Sequence, residues 1–94
     1  MQIAMRYSNC EPDTAITYAA LLLQSGRSHQ AMAMLNLLSV EAPGDSRVFS
    51  NRAVLYYTQK RPDLARADAQ MAQRLNPANP QAAAILARLQ SVAP

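Results

Sequence analysis

The polar and hydrophobic pattern of the chain falls into five stretches of helical character separated by short breaks. Pro12 suits the first turn of a helix, where its missing N–H would lack a partner anyway, and Asp13 puts negative charge at the positive end of the helix dipole. The pattern predicts a first helix over 12–25, stopped by Gly26, which takes the left-handed conformation without steric cost. Ser28 is the candidate cap of a second helix running to about Glu41, before Pro43-Gly44 breaks it. Asp45 then caps a third from Ser46 to about Gln59, and Pro62 with Asp63 opens a fourth that ends near Leu75, ahead of Asn76-Pro77. Asn79 caps and Pro80 opens a fifth, to about Val92. Residues 1–11 have no helical period: Ile3, Met5 and Tyr7 alternate with polar or small residues, as in an extended arm or a loose leader. Five helices joined by four short turns predict an all-α fold of stacked antiparallel hairpins.

Two of the helices are more apolar than one buried stripe requires. The second carries Met32, Met34, Leu37 and Val40 besides Ala31, Leu35 and Leu38, so it is hydrophobic almost all round and is expected to need cover on every side. The fifth carries Ile85, Leu89 and Val92 at helical spacing in addition to Leu86 and Ala87. Both ends of the stack are therefore expected to be adhesive, and the chain to be completed by something else.

A longer period runs through the same sequence. In residues 46–79 the spacing is Phe49, Ala53, Tyr56, Ala65, Ala69, Ala72 and Pro77. One fixed step back takes Ala53, Ala65 and Pro77 to Ala19, Ala31 and Pro43, and the same step forward takes Ser46 and Ala53 to Pro80 and Ala87. The step matches the period of about 34 residues of the tetratricopeptide repeat, which this spacing resembles. In that repeat a large residue, a small residue and a ring lead into a second helix with small residues at fixed positions, closed by proline. The resemblance covers about residues 12–92. It divides the chain into an N-terminal arm at 1–11, repeats at 12–45 and 46–79, and a final capping helix at 80–92. It implies a short right-handed stack whose hairpins pack through Ala15, Tyr18, Ala19 and Leu22 against Ala31, Leu35 and Leu38, with Phe49, Ala53, Tyr56, Ala65, Ala69 and Ala72 as the second set. Lys60 stands where the family has Gly, which predicts mild strain in that turn. Arg52 stands where the family has Leu, placing a charge at a normally packed site, and Ala69 replaces the usual aromatic.

Proteins of this family bind ligands in a concave groove lined by the first helix of each repeat. The corresponding positions here are Ile16, Ala20 and Leu23 from repeat one, Arg47, Asn51, Val54 and Tyr57 from repeat two, and Ala84, Ile85 and Arg88 from the last helix. A groove of that kind implies a protein partner offering an apolar helix or extended segment, or a second copy of the chain; the arm at 1–11 is the alternative cover for part of the stripe. Ser50-Asn51-Arg52-Ala53 with Tyr56 is also similar to repeats that grip a C-terminal carboxylate. Ile16, Ala20 and Ala84 occupy the positions of the remaining clamp residues, so too few polar groups are left to hold a carboxylate. Small size and an apolar groove resemble the small chaperones of bacterial type III secretion systems. That resemblance implies a cytoplasmic protein that holds a secretion-system subunit before export; a self-associating homodimeric scaffold is the alternative.

Composition narrows the chemistry. The chain has 94 residues, enough for one domain with a thin core, and its apolar mass is Ala, Leu and Met, with no Trp and one Phe. Net charge is +3, from eight arginines and one lysine scattered without a basic run, so nucleic-acid binding is not expected. The arginine bias with abundant Ala and Gln points to a GC-rich bacterial genome. The single Cys10 cannot form an internal disulfide, which fits a reducing compartment. No stretch reaches the roughly 18 apolar residues of a membrane span, and the first ten residues lack the pattern of a signal peptide. His29 is the only histidine and has no second ligand at metal spacing; Gly26 and Gly44 build no phosphate loop. Asp63 and Asp68, among Arg61, Arg66 and Arg74, are expected to form exposed ion pairs. Neither an enzyme nor a cofactor or metal site is expected.

Overall fold

A computed structural model of the chain describes residues 12–92, without the side chains of the two residues at each end of that range. The arm at 1–11, with Ile3, Met5, Tyr7 and Cys10, lies outside the described residues. Five α-helices follow one another: α1 (Pro12–Gln24), α2 (Ser28–Glu41), α3 (Ser46–Thr58), α4 (Pro62–Leu75) and α5 (Pro80–Val92). The described residues are all-α: α1–α2 and α3–α4 form two antiparallel hairpins, and α5 closes the stack. Each helix packs on the next. In addition α1 touches α3 and α3 touches α5, whereas α2 and α4 make no close approach. The odd-numbered helices therefore form one continuous layer, and the even-numbered ones lie in a second layer without close backbone contact to each other.

The repeat period of the sequence recurs in the backbone. Arg27 N–H donates to Leu22 O at 2.9 Å, and its repeat equivalent Arg61 N–H to Tyr56 O at 2.9 Å. Ala42 donates to Leu38 O and Asn76 to Ala72 O, again one repeat apart. Between the helices of each hairpin one residue is left-handed: Gly26 at φ 82° and Lys60 at φ 62°. Lys60 is the one non-glycine residue with positive φ among those described, so the strain expected at this turn is present in the backbone.

Caps follow the same period with one departure from expectation. Asp45 caps α3 by accepting from Arg47 N–H at 3.0 Å, and Asn79 caps α5 by accepting from Ala82 N–H at 2.9 Å. Ser28 does not cap α2: it is already the first helical residue, and Arg27 at the cap position offers no side-chain acceptor. Arg61 likewise gives α4 no side-chain cap, but Pro62 at its first turn removes one of the N–H groups that would need a partner.

Small residues set the packing distance. Ala19, Ala31, Ala53 and Ala65 are each fully buried where the two helices of a hairpin meet. Around them lie Leu22, Leu35, Leu38, Val48, Phe49 and Leu55 in one cluster, and Ala69, Ile85 and Leu89 in a second. Complete burial of one such leucine stabilises the fold by roughly 1.5–3 kcal/mol. Three expectations change. Tyr18 is half exposed rather than packed within its hairpin, and Ala87 is exposed. Ile85 and Leu89 are buried, so the last helix spends its apolar face on the stack and presents Ala83, Ala84, Ala87, Arg88 and Gln90 outward. Of the all-round apolar helix α2, Leu37 and Val40 do remain exposed.

Candidate protein-binding surface

Two polar networks fix how the hairpins sit on one another. In the first, Arg52 on α3 reaches α4 and α2 together. Its Nε and Nη2 donate to the two carboxylate oxygens of Asp68 at 2.7 and 3.1 Å, and Nη1 donates to Asn36 Oδ1 at 2.9 Å and Ser39 Oγ at 3.4 Å. The guanidinium also lies 5.5 Å from the Phe49 ring centroid. Hydrogen bonding to Asp68 holds Arg52 still more firmly in its charged form, against the opposing effect of burial. Asp68 is buried and paired with Arg52, which corrects its reading as an exposed partner of the arginines on its own helix. The guanidinium bridges α2 and α4, which have no close backbone approach of their own.

The second network joins α3 to α5. Asn79 Nδ2 donates to Ser46 Oγ at 3.0 Å and Ser50 Oγ at 3.2 Å, while Ser50 Oγ donates to Gln81 Oε1 at 2.8 Å. Ser46, Ser50 and Asn79 are all buried, so the hydrogen bonds offset the desolvation of groups that would otherwise be costly to bury. At the rim, Asp45 binds the Arg47 side chain through Nε at 3.0 Å and Nη2 at 2.6 Å. The Arg47 side-chain bond is the main reason the Asp45 carboxyl lies below its ordinary pKa; partial burial opposes it, and the Arg47 backbone N–H adds to it.

The expected groove residues separate into two groups. Ile16, Asn51 and Ile85 are buried, at 3%, 6% and 5% exposure, and cannot line an open surface. The reason lies in the stack: an odd-numbered helix packs sideways against its odd-numbered neighbours as well as against its hairpin partner. Ile16 and its repeat equivalent Ser50 are both buried, whereas Ala84, the next equivalent, is exposed because no described helix follows α5. Asn51 and Ile85 occupy one repeat position, buried in both helices.

The second group does reach solvent. Ala20, Leu23, Val54 and Tyr57 are partly exposed, and Arg47, Ala84 and Arg88 are exposed. Leu23 packs beside the first core cluster, and Val54 and Tyr57 beside the second, so their inner edges are anchored while their outer edges face water. Ala20, Val54 and Arg88 are repeat equivalents, as are Leu23 and Tyr57, so these side chains form rows across α1, α3 and α5. What results is a narrow, mixed surface, apolar along its middle with arginines toward α3 and α5.

A third set of positions packs between hairpins; the sequence reading places Asn51 and Ile85 of this set in the groove and leaves Val48, Leu55 and Ala82 unassigned. Val48, Asn51 and Leu55 on α3 are buried, and so are Ala82, Ile85 and Leu89 on α5. Their equivalents on α1 are Thr14, Thr17 and Leu21, all exposed. The recurrence of leucine at 21, 55 and 89 was the available signal. Among the described residues no three His, Cys, Asp or Glu side chains gather as metal ligands, and no helix is long and apolar enough to cross a membrane. Neither family models, nor curated proteins, nor solved structures give a match to this chain.

Proposed function

We propose that this chain is a non-catalytic protein-binding module of the tetratricopeptide type, which holds an apolar or amphipathic segment of another protein against the layer formed by α1, α3 and α5. The observation that carries the reading is the contiguity of those three helices. They touch in series while α2 and α4 stand apart, so Ala20, Leu23, Val54 and Tyr57, all partly exposed, lie on one continuous helical layer. A segment lying along it meets partly exposed apolar side chains whose burial is favourable, with Arg47 and Arg88 at the margin of the surface. The recurrence of backbone hydrogen bonds and left-handed turns from one repeat to the next supports the family reading. The client class we propose is a subunit of a bacterial secretion system, kept from aggregating in the cytoplasm before export.

Co-expression with products of adjacent genes, followed by co-purification, tests this. Leu23→Glu and Tyr57→Glu should each reduce client retention at least about 10-fold, since each places a charge in the apolar row. Retention of the client by both variants at the wild-type level would disprove the groove reading.

A further inference from the structure

The two joints between successive units of the stack are equivalent in repeat position and opposite in chemistry. Where α5 meets the second hairpin, Ala82, Ile85 and Leu89 are buried and Leu86 packs beside Ile85 and Leu89. Where α3 meets the first hairpin, Val48 and Leu55 hold the matching buried positions, but Asn51 stands in place of Ile85 and Arg52 in place of Leu86. Asn51 is 6% exposed, and its side-chain amide makes no hydrogen bond among the described residues. The other buried polar side chains, Ser46, Ser50, Asp68 and Asn79, are all hydrogen-bonded. An amide buried without a partner works against the closed joint, because water satisfies it once the joint opens. Arg52 offsets this only in part. Its bonds to Asp68 stay within the second hairpin, and those that cross the joint go to Asn36, at an exposed edge, and at 3.4 Å to Ser39.

We propose that this joint is an opening built into the fold: hairpin α1–α2 parts from α3 as one cooperative unit, and the unpaired amide of Asn51 sets how readily it does so. Opening here hydrates Asn51 and the outer nitrogen of Arg52. The same event at the second joint would expose Ile85 and Leu86 to water and break paired hydrogen bonds. The functional consequence rests on the groove reading. Ala20 and Leu23 stand on α1, Val54 and Tyr57 on α3, so the binding surface is whole only while the joint is closed. The opening itself does not depend on that reading and is measured without a client.

Hydrogen–deuterium exchange of the full chain, resolved by residue near neutral pH, tests the proposal. Amides in the middle of α1 and α2 should share one opening equilibrium and exchange at least about 10-fold faster than those in the middle of α3 and α4. Asn51→Ile, which copies Ile85, should slow exchange in α1 and α2 by about 10-fold or more. Asn51→Leu, close to asparagine in shape, should act in the same direction. Ile85→Asn transfers the device to the second joint and should speed exchange in α5. Equal protection of α1–α2 and α3–α4 in the wild type overturns the proposal, because no unit then opens ahead of the rest. Failure of both Asn51 variants to slow α1 and α2 overturns it equally, since the amide would then not be what weakens the joint.

Discussion

Hairpins α1–α2 and α3–α4 follow one backbone plan and fill it with different chemistry. The turn and the close alanine contacts recur at equivalent positions of the two repeats, yet Tyr18 and Met34 in the first hairpin become Arg52 and Asp68 in the second. The second hairpin lies inside the stack, with α2 on one side and α5 on the other. Its Arg52 is hydrogen-bonded on both sides, to Asp68 within the hairpin and to Asn36 and Ser39 of the hairpin before it. The first hairpin has no described neighbour beyond α1, and the same position holds an exposed tyrosine. Position in the stack, rather than position in the repeat, decides whether a polar or an apolar group is tolerated.

The largest test of this difference is to exchange the chemistry. Arg52→Ala should destabilise the protein by about 3 kcal/mol, because Asp68 is left buried with its charge uncompensated. The double change Arg52→Tyr with Asp68→Met copies the first hairpin and removes both charges. It should recover most of the loss and lie within about 1 kcal/mol of the wild type in urea denaturation. Should the double variant instead be as unstable as Arg52→Ala, the bonds to Asn36 and Ser39, rather than the neutralised charge, would be what holds α2 in place.

The two left-handed turns give a smaller and cleaner contrast. Gly26 and Lys60 do the same backbone work, and only the glycine does it without strain. A Cβ added at Gly26 meets nothing within 4 Å, so Gly26→Ala should cost about 1 kcal/mol through conformation alone. Lys60→Gly should stabilise by a similar amount, less the entropy that glycine adds to the unfolded chain. Thermal melts of the two variants should move in opposite directions. Equal signs would mean that the two turns are not equivalent.

These contrasts also explain what the sequence disclosed. Helix boundaries were legible because Pro12, Gly26, Asp45, Pro62, Asn79 and Pro80 act on the backbone locally, whatever surrounds them. The groove was only half legible. Helical periodicity marks a helix face as apolar, but an odd-numbered helix in this stack has several contacting faces, and the period does not tell a packed face from an open one. Periodicity therefore places Ile16 and Ile85 on the open surface, though both are buried in the stack. Only comparison of equivalent positions separates the two, as Leu21, Leu55 and Leu89 show. Asp68 was hidden for a different reason: its partner Arg52 lies on another helix, whereas the arginines near it in sequence are the ones a linear reading offers.

The two caps supply the smallest and most specific test. Asp45 and Asn79 are repeat equivalents, one ionisable and exposed to the Arg47 guanidinium, the other a buried amide bonded to Ser46 and Ser50. Asp and Asn cap helices about equally well, so Asp45→Asn removes the charge while keeping the acceptor. At pH 7 the cost should be about 0.5 kcal/mol, the scale of an exposed ion pair aided by a helix N-terminus. The sign of its pH dependence follows from the lowered pKa of Asp45. The folded protein binds this proton less readily than the unfolded chain, so the charge contributes stability in full above the ordinary carboxylate range. That contribution fades as pH falls through the depressed value. Urea midpoints of wild type and Asp45→Asn should therefore differ at pH 7 and converge below about pH 4, and added salt at pH 7 should narrow the gap as well. A gap that persists unchanged at low pH would assign the difference to cap geometry and not to the carboxylate charge.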